Sequence, residues 1–222
     1  MNSKGEKLTE NRLGFENINI ALGTLYKEWY QMIFQQLSSI EGMNLELGCG
    51  ASFIEETIKN IIKSDVFLNS NTDLRIDAME VGLKYENKIS NLILVNVFHH
   101  ISNPELFLRS AEKSLLLGGR IIMVEPSNNI WSRLIYRLVG HEKFDTEQIN
   151  WEFESNDPLL DSNQALSWII FKRDYKKFKK LFPKFPLYKK KSIMPLSYLL
   201  SGGHSYNTKV GKIFIKIIRK LE

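Results

Sequence analysis

The chain has 222 residues, enough for one domain with a sizeable core, and its single cysteine excludes an internal disulfide framework. No apolar run reaches the roughly 18 residues of a membrane span, and the N-terminal residues lack the apolar stretch of a signal peptide, so we expect a cytoplasmic protein. Charge is divided unevenly. Residues 172–222 hold 15 Lys and Arg against 2 acids, whereas residues 1–171 hold 15 basic and 23 acidic residues, so a local charge of +13 is offset by −8 to give the net +5.

The N-terminal part is predicted to be helical before the first strand. Residues 1–15 are polar and predict a frayed segment. From about Ile18 to Ile40, apolar and aromatic residues recur at helical spacing, which indicates one or two helices. Within them, the stretch Leu25 to Tyr30 is expected either to cap a ligand site above the sheet or to pack on the sheet edge.

A short apolar run with one carboxylate, residues 43–47, is followed by the turn Gly48-Cys49-Gly50. The two glycines let the backbone bend sharply and let a ligand lie against it, and Cys49 suits a small apolar filler. A new apolar pattern at helical spacing follows. Its positions are Phe53, Ile54, Thr57, Ile58, Ile61 and Ile62. Buried strand, tight turn and helix together predict the opening of a βαβ nucleotide-binding unit.

The charges around this turn select the ligand. A pyrophosphate would gain from nearby positive charge, yet Glu46 precedes the glycines, Glu55 and Glu56 follow them, and residues 43–57 contain no Lys or Arg. The third glycine of a dinucleotide motif is replaced by Phe53. Carboxylates without a cation suit a ligand with an ammonium, a sulfonium and free ribose hydroxyls. S-adenosylmethionine (SAM) has all three.

Polar residues close the next strands. Residues 63–67 predict a second strand carrying Asp65, and open α/β sheets bind ligands at the carboxyl ends of their strands. Asp65 is therefore expected to accept hydrogen bonds from ribose hydroxyls, the alternative being a solvated loop acid. Residues 74–78 predict a third strand ending in Asp77-Ala78. The near-continuous apolar run from Asn91 predicts a buried central strand that closes on Asn96.

A further helix and strand complete the predicted core. Asn103-Pro104 opens a helix that is expected to run to the glycines of Leu117-Gly118-Gly119. Residues 120–126 then predict a fifth strand. Beyond Asn128, residues 130–139 carry apolar positions at helical spacing and predict another helix.

Three segments at these intervals resemble the class I SAM-dependent methyltransferases: Glu46-Leu-Gly-Cys-Gly50, His99-His100-Ile101, and Leu117-Gly-Gly-Arg120 followed by Glu125-Pro126. The resemblance covers about residues 44–203 and is closest to a bacterial subgroup related to the quinone-methylating type-11 enzymes. It implies an α/β, Rossmann-like fold, with a mostly parallel central sheet and helices on both faces.

The resemblance also implies a single methyltransferase domain with four parts, and it implies which residues bind the cofactor. The parts are an N-terminal helical cap (1–42), a SAM-binding core (43–127), an insertion that shapes the acceptor site (128–171) and a basic C-terminal part (172–222). Asp77 is expected to accept from the adenine amino group. The implied cofactor-binding residues are Glu46, Gly48, Cys49, Gly50, Asp65, Asp77, Ala78 and Asn96.

SAM arrives activated, so the enzyme has mainly to hold an acceptor in line with the methyl group. A base is needed only for a hydroxyl acceptor, and the candidates are His100 and His141. The alternatives are that His99 and His100 shape a turn and that His141 is an ordinary loop residue. No metal-ligand spacing of Cys and His is present, so no metal is expected.

These features predict SAM-dependent methyl transfer to a small molecule or a glycan or lipid precursor by direct displacement. A catalytically silent SAM-fold binding protein in an assembly complex is the alternative, and a nicotinamide-dependent oxidoreductase is less favoured because the turn is acidic. The basic part predicts either peripheral contact with an anionic membrane or an ordinary packed helix with solvated lysines. Nucleic acid is not the expected partner, because no RNA-module signature accompanies the charge.

The C-terminal residues predict an incomplete sheet. The class I fold ends in an antiparallel pair, and residues 188–194 can supply the sixth strand. The apolar residues from Val210 to Leu221 follow one face of a helix, so the final antiparallel strand is expected to be missing. We expect the open edge beside the fifth strand to be covered by this helix or by a second copy of the chain, in a homodimer.

Overall fold

The structure is a computed structural model that describes residues 4–14, 19–129, 133, 143–187, 189–193, 197–200 and 217–218. Within these residues, five parallel strands form one sheet in the order β3-β2-β1-β4-β5. The strands are β1 (Met43–Leu47), β2 (Ile61–Asp65), β3 (Leu74–Arg75), β4 (Ile89–Val95) and β5 (Leu115–Val124). The chain moves outwards from β1 to β3 and then crosses back to β4, which creates a switch point between β1 and β4.

Helices flank the sheet and pack against both of its faces. They are α1 (Lys4–Asn11), α2 (Ile20–Phe34), α3 (Val81–Lys84), α4 (Pro104–Ser114), α5 (Leu166–Trp168), α6 (Tyr175–Leu181) and α7 (Ser197–Leu200), with a π-helical stretch, Ile169–Arg173, between α5 and α6. No helix in the described part of the chain is long and apolar enough to cross a membrane.

Alternation along β4 divides the core into two layers. Leu92 and Leu94 point into the layer built with α4 and α5, whereas Ile93 and Val95 point into the layer built with α2. Both layers are fully desolvated at the strand, since all seven residues of β4 are buried. The architecture is α/β and Rossmann-like, with helices on both faces of a parallel sheet, as the sequence predicts.

The prediction of a helix after the glycine turn is wrong. Only a 3₁₀ turn, Ile54–Glu56, forms there, and Ile61 and Ile62 belong to β2. The segment is rich in β-branched residues, which lowers its helix propensity, and Asn60 adopts a left-handed φ of 58° that ends any helical run. The sheet face that such a helix would cover is occupied by α2, against which Phe53, Ile54 and Ile58 pack.

Other boundaries also differ from the predictions. β3 covers residues 74–75 rather than 74–78, and β5 covers residues 115–124 rather than 120–126. The segment expected to be frayed contains α1, with Gly5 and Thr9 buried. β2 covers residues 61–65 rather than 63–67, and Asp65 is its last residue. Helix α4 begins as predicted, capped by Asn103, but ends at Ser114, and the two glycines expected to stop it lie inside β5.

The C-terminal predictions are tested only in part. Residues 189–193, expected in a sixth strand, form no strand. Of the segment from residue 210, the structure describes Ile217 and Ile218, which are helical, so the predicted helix otherwise lies outside the described residues. The same holds for the helix predicted at residues 130–139, of which only Arg133 is described, in helical conformation.

Candidate functional site

The glycine turn at the carboxyl end of β1 is shaped by two positive backbone angles. Gly48 has φ 66° and Gly50 has φ 48°, values that other residues adopt only with strain. A Cβ on Gly48 would come within 2.6 Å of Val97 Cγ2. Around Gly50 there is room, because the nearest atom to a Cβ there would be Thr9 Cγ2 at 4.0 Å. The turn therefore packs tightly beneath Gly48 and stays open at Gly50, beside α1.

Asp65, at the end of β2, holds this turn in place. Its Oδ2 accepts from the Gly50 amide at 2.9 Å and its Oδ1 from the Phe67 amide at 3.0 Å. The side chain is buried, and burial raises its pKa, while these backbone hydrogen bonds oppose the rise. Each carboxylate oxygen keeps a second lone pair, so the carboxylate can still accept from a ligand. Its ribose-binding role stays a prediction, now with a second role in positioning the turn.

Glu46 lies below the turn on the α2 side of the sheet, with 2% of its surface exposed. Ser52 Oγ donates to Glu46 Oε1 at 2.9 Å and lies 3.1 Å from Tyr30 Oη on α2. Glu46 Oε2 is buried and has no hydrogen-bond partner in the described structure. Burial raises the pKa of Glu46 to about 8, which the Ser52 hydrogen bond and the charge of Lys63 counteract.

A cation does stand near the turn, which the local sequence did not reveal. Lys63 pairs in register with Glu46 on the neighbouring strand. Its ammonium donates to Glu55 Oε1 at 2.8 Å and to Asn71 Oδ1 at 2.6 Å, so its charge is already shared with an acid. The site keeps more carboxylates than cations, but it is less acidic than residues 43–57 alone suggest.

Asn71, in the loop between β2 and β3, is a residue that the sequence reasoning missed. Its amide donates to the carbonyls of Gly50 and Ser52, at 3.1 and 2.7 Å, and fixes the far side of the turn. Cys49 lies buried within the turn, and its Sγ is 3.7 Å from Thr72 Oγ1. Burial raises the pKa of the Cys49 thiol, so Cys49 acts here as a neutral filler.

Asp77 and Ala78 lie just beyond β3. Asp77 Oδ1 accepts from the Met79 amide at 2.9 Å and caps the 3₁₀ turn Ala78–Glu80, and the residue is half-buried. Its Oδ2 makes no hydrogen bond within the described residues. Asp77 therefore presents an acceptor at the same edge of the sheet as the glycine turn, although the sequence reasoning did not foresee its capping role.

Asn96, directly after β4, joins α2 to the site. It adopts φ 56°, and its side-chain amide donates to Tyr26 Oη at 3.2 Å. Tyr26 is buried, and burial raises the pKa of its phenol to about 12. The two tyrosines of α2 therefore reach the ends of β4 and the glycine turn. Leu25, Tyr26, Trp29 and Tyr30 are buried against the sheet, which is the packing role predicted for residues 25–30, and their role as a cap over a ligand stays a prediction.

A buried His–Glu pair lies between the ends of β4 and β5. Glu125 Oε1 accepts from the amides of Val97 and Phe98, at 2.8 and 2.7 Å, and its Oε2 lies 2.7 Å from His99 Nδ1. The side chains of His99 and Glu125 are 4% and 6% exposed. This carboxylate shapes the 3₁₀ turn Phe98–His100 that carries both histidines. The sequence signal was the Glu-Pro step at the end of a predicted strand.

His100, the predicted base, is more accessible than His99. Its ring contacts that of His99 at a tilt of 40°, with centroids 4.3 Å apart. The structure therefore supports a turn-shaping role for His99, while His100 is half-buried on the same 3₁₀ turn and its role as the base stays a prediction. His141, the second predicted base, lies outside the described residues.

The described part of the insertion, residues 143–171, packs against these strand ends. The backbone N–H of Asn163 donates to the His99 carbonyl at 3.0 Å, and Ser167 Oγ donates to the Pro126 carbonyl at 3.0 Å. The Asn163 side chain also binds the backbone of Asp145 and the amide of Gln148. No group of three or more potential metal ligands occurs among the described residues.

These residues fit the cofactor that the sequence predicts. Glu46 Oε2, which has no partner among the described residues, is an acceptor of the kind that an ammonium requires. The open space at Gly50 leaves room for an adenosyl group, and Asp77 Oδ2 is an acceptor for an amino group. The fit depends on hydrogen-bond acceptors, because Lys63, the one lysine or arginine buried among the described residues, is already paired with Glu55.

No protein-family model matches the chain, and neither does any curated protein. Among solved structures, the chain is similar to the selenomethionine-substituted CurJ carbon methyltransferase, with 16% sequence identity and a TM-score of 0.40. The similarity covers 78% of this chain and 49% of that one, so the chain spans about half the length of that structure. The sheet and its flanking helices define a Rossmann-like α/β protein, and the glycine turn at the switch point of the sheet is its candidate ligand site.

Proposed function

We propose that the protein binds SAM and transfers its methyl group to a small-molecule or glycan/lipid-precursor acceptor by direct displacement. The observation that carries the proposal is the glycine turn at the switch point, with carboxylates at the ends of β1, β2 and β3. Ligands of open α/β sheets bind at this position. A phosphate-bearing cofactor would place its charge beside these carboxylates, whereas SAM carries a positive charge.

Each residue then has a defined task on the cofactor side. The Gly48–Gly50 backbone gives close approach, Asp77 accepts from the adenine amino group, and Asp65 accepts from ribose while it holds Gly50. Glu46, whose buried Oε2 has no partner among the described residues, would give up its proton beside the ammonium of the ligand, because a nearby cation favours the charged carboxylate. Bound SAM supplies an activated methyl group on a sulfonium, which is a good leaving group.

On the acceptor side, the protein has to orient the nucleophile and exclude water. Positioning alone can lower the barrier by roughly 7–11 kcal/mol. For a hydroxyl acceptor, His100 takes the proton, and the buried His99–Glu125 pair holds the turn that presents it. Residues 143–165 close the acceptor side, since Asn163 fastens them to the His99 carbonyl.

The experiment is methyl transfer from methyl-labelled SAM into fractions of a cell extract, with binding of S-adenosylhomocysteine (SAH) measured on the same protein. We expect label in a small-molecule or lipid fraction, and a loss of about 10²–10⁴-fold in rate for His100→Ala if the acceptor is a hydroxyl. His100→Ala should bind SAH as wild type does. Binding of SAM without transfer to any fraction would favour the silent binding protein, and binding of NADH instead of SAM would favour the oxidoreductase.

A further inference from the structure

A band of exposed lysines lies on the π-helical stretch, on α6 and on the segment after it, and we call it the lysine face. It consists of Lys172, Lys176, Lys179, Lys180, Lys189, Lys190 and Lys191, all of which are exposed. The aromatic side of the same helix points the other way. Phe178 and Phe182 are 2% and 0% exposed, and the rings of Phe171, Phe178 and Phe182 follow one another at centroid distances of 5.1 and 5.6 Å. Packing of these rings fixes the lysines towards solvent.

Two separate segments contribute to this face. Lys172, Lys176, Lys179 and Lys180 belong to one segment and Lys189, Lys190 and Lys191 to another; partial burial and the charge of Lys172 lower the pKa of Lys190. Acids do not neutralise the face. Asp174 is the nearest in sequence, and both of its oxygens are taken, by Arg173 at 2.9 Å and by Trp151 Nε1 at 2.9 Å. In the described part of the chain, none of the seven lysines forms an ion pair.

Exposed aliphatic side chains border the lysine face. Ile149 is 84% exposed, and Leu187, between Lys184 and Lys189, is 40% exposed. The loop that carries Ile149 is tied to the start of α6, because Arg173 Nη1 donates to the Thr146 carbonyl at 2.7 Å and Lys177 Nζ lies 4.4 Å from the centre of the Trp151 ring. The surface therefore combines lysines that form no ion pair among the described residues with exposed aliphatic side chains.

We propose that the lysine face, with Ile149 and Leu187, binds the anionic surface of a lipid membrane. Cations attract the acidic headgroups, and exposed aliphatic side chains enter the headgroup boundary, which is the pattern of peripheral membrane binders. Single-stranded nucleic acid would call for exposed aromatic rings on which bases stack, and the rings of this segment pack inwards. The inference deepens the proposed function: the loop bearing Ile149 belongs to the acceptor side, so docking would bring that side to a lipid-linked acceptor.

The test is co-sedimentation of the full chain with phosphatidylcholine vesicles, with and without phosphatidylglycerol, at low and high salt. We expect pelleting only with phosphatidylglycerol and release by salt. Each lysine near such a surface contributes about 1 kcal/mol, so removing three should weaken the partition coefficient on the order of a hundredfold. The triple variant is Lys176→Gln with Lys180→Gln and Lys190→Gln, and the matched control is Lys59→Gln with Lys84→Gln and Lys88→Gln.

A second pair of variants tests the apolar component. Ile149→Ser should weaken vesicle binding by about tenfold, because an aliphatic side chain would no longer leave water, whereas Leu83→Ser, 76% exposed on α3, should leave it unchanged. Equal pelleting on neutral and anionic vesicles would overturn the proposal, as would equal binding by the triple variant and its control. Tighter binding of an oligonucleotide through the same three lysines would make nucleic acid the partner instead.

SAH binding, followed on each variant, separates this inference from the proposed function. The substituted residues lie away from the glycine turn, so every variant should bind SAH as wild type does. Vesicle binding without any SAH binding would retain the lysine face and overturn the methyltransferase proposal. SAH binding without vesicle binding would overturn the proposal for the lysine face and leave the methyltransferase proposal standing.

Discussion

At the scale of single residues, the shape of the glycine turn depends on the contact between Gly48 and Val97. A side chain on Gly48 meets two obstacles, a left-handed φ of 66° and Val97 Cγ2 within 2.6 Å, whereas one on Gly50 meets only the first. The left-handed conformation costs roughly 1–2 kcal/mol and overpacking a further 1–3 kcal/mol. Position 48 therefore tolerates a methyl group much less well than position 50.

We expect Gly48→Ala to lower the free energy of unfolding by about 2–4 kcal/mol and Gly50→Ala by about 1–2 kcal/mol. In a Val97→Ala background the Gly48→Ala cost should fall to the conformational part alone. Urea unfolding of the four variants, analysed as a double-mutant cycle, measures the coupling. Additive effects of Gly48→Ala and Val97→Ala would show that the predicted clash does not occur.

Glu46 gives the site a pH dependence that can be measured without any ligand. Its pKa rises from 4.5 to about 8 on folding, because the carboxyl leaves water. Between these values the folded protein keeps the proton and the unfolded chain loses it, so stability falls as pH rises through this window. The slope for one group is at most about 1.4 kcal/mol per pH unit.

Glu46→Gln should remove this contribution, since the amide stays neutral and still accepts from Ser52. The variant should gain stability relative to wild type from about pH 5 to about pH 8, as followed by urea unfolding at several pH values. Glu56→Gln, at an exposed position paired with Lys27, is the matched control and should follow the wild-type profile. Parallel profiles for wild type and Glu46→Gln would refute a raised pKa.

The residues of the site were predictable from sequence to different degrees. Gly48 and Gly50 stand at a strand-to-turn step that only a sharp backbone bend explains, and Asp65, Asp77 and Asn96 follow apolar runs, so their places at strand ends could be predicted. Their partners could not. Lys63 reaches Glu46 through the strand register, and Asn71 reaches the turn across a loop, and neither contact leaves a local pattern.

At the scale of elements, α1 lies beside the turn and is anchored at its first residues. The Gly5 amide donates to Asp157 Oδ2 at 3.0 Å, and Thr9 faces Gly50 from the same helix. A Cβ on Gly5 would overlap Asp157 Oδ1. Because only an eight-residue helix is involved, the anchor to Asp157 matters more for its position than its own helical stability does.

Gly5→Val should therefore detach α1 and expose the turn. Hydrogen exchange should show faster exchange of the α1 amides and of Gly50 in this variant. Lys7→Val changes an exposed position of the same helix and should leave both unchanged. If the two variants exchange alike, helix propensity rather than the Asp157 contact positions α1.

The elements also show where sequence periodicity misleads. Phe53, Ile54 and Ile58 have helical spacing and are buried as predicted, but against α2 rather than within a helix of their own. Periodicity reports which residues leave water, and the backbone that achieves this depends on what already covers the sheet. The polar composition of residues 1–15 predicted a frayed segment where α1 forms. This helix is held by single contacts at Gly5 and Thr9, so it needs no apolar stripe that the sequence would show.

At the scale of the whole molecule, the charge asymmetry follows the structure. The acidic part contains the sheet with the candidate ligand site, and the basic part begins at the π-helical stretch and carries the lysine face. The two meet at the contacts of Arg173 with Thr146 and of Trp151 with Asp174. The parallel sheet with helices on both faces was predicted from the resemblance, but its order β3-β2-β1-β4-β5 comes from the structure alone. Of the sixth strand expected at residues 188–194, the described residues 189–193 form no strand.

Titration calorimetry of the full chain with SAH tests the central proposal most directly. We expect saturable binding by wild type. Loss of one charge-assisted hydrogen bond costs about 1.5–3 kcal/mol, so Asp77→Asn, which keeps the cap on Met79, should bind roughly ten- to a hundredfold more weakly. Glu80→Gln, an exposed neighbour on the same turn, should bind as wild type does. Weakened binding by Asp77→Asn alone would support the site. Absence of SAH binding by the folded wild-type protein would contradict the proposed function.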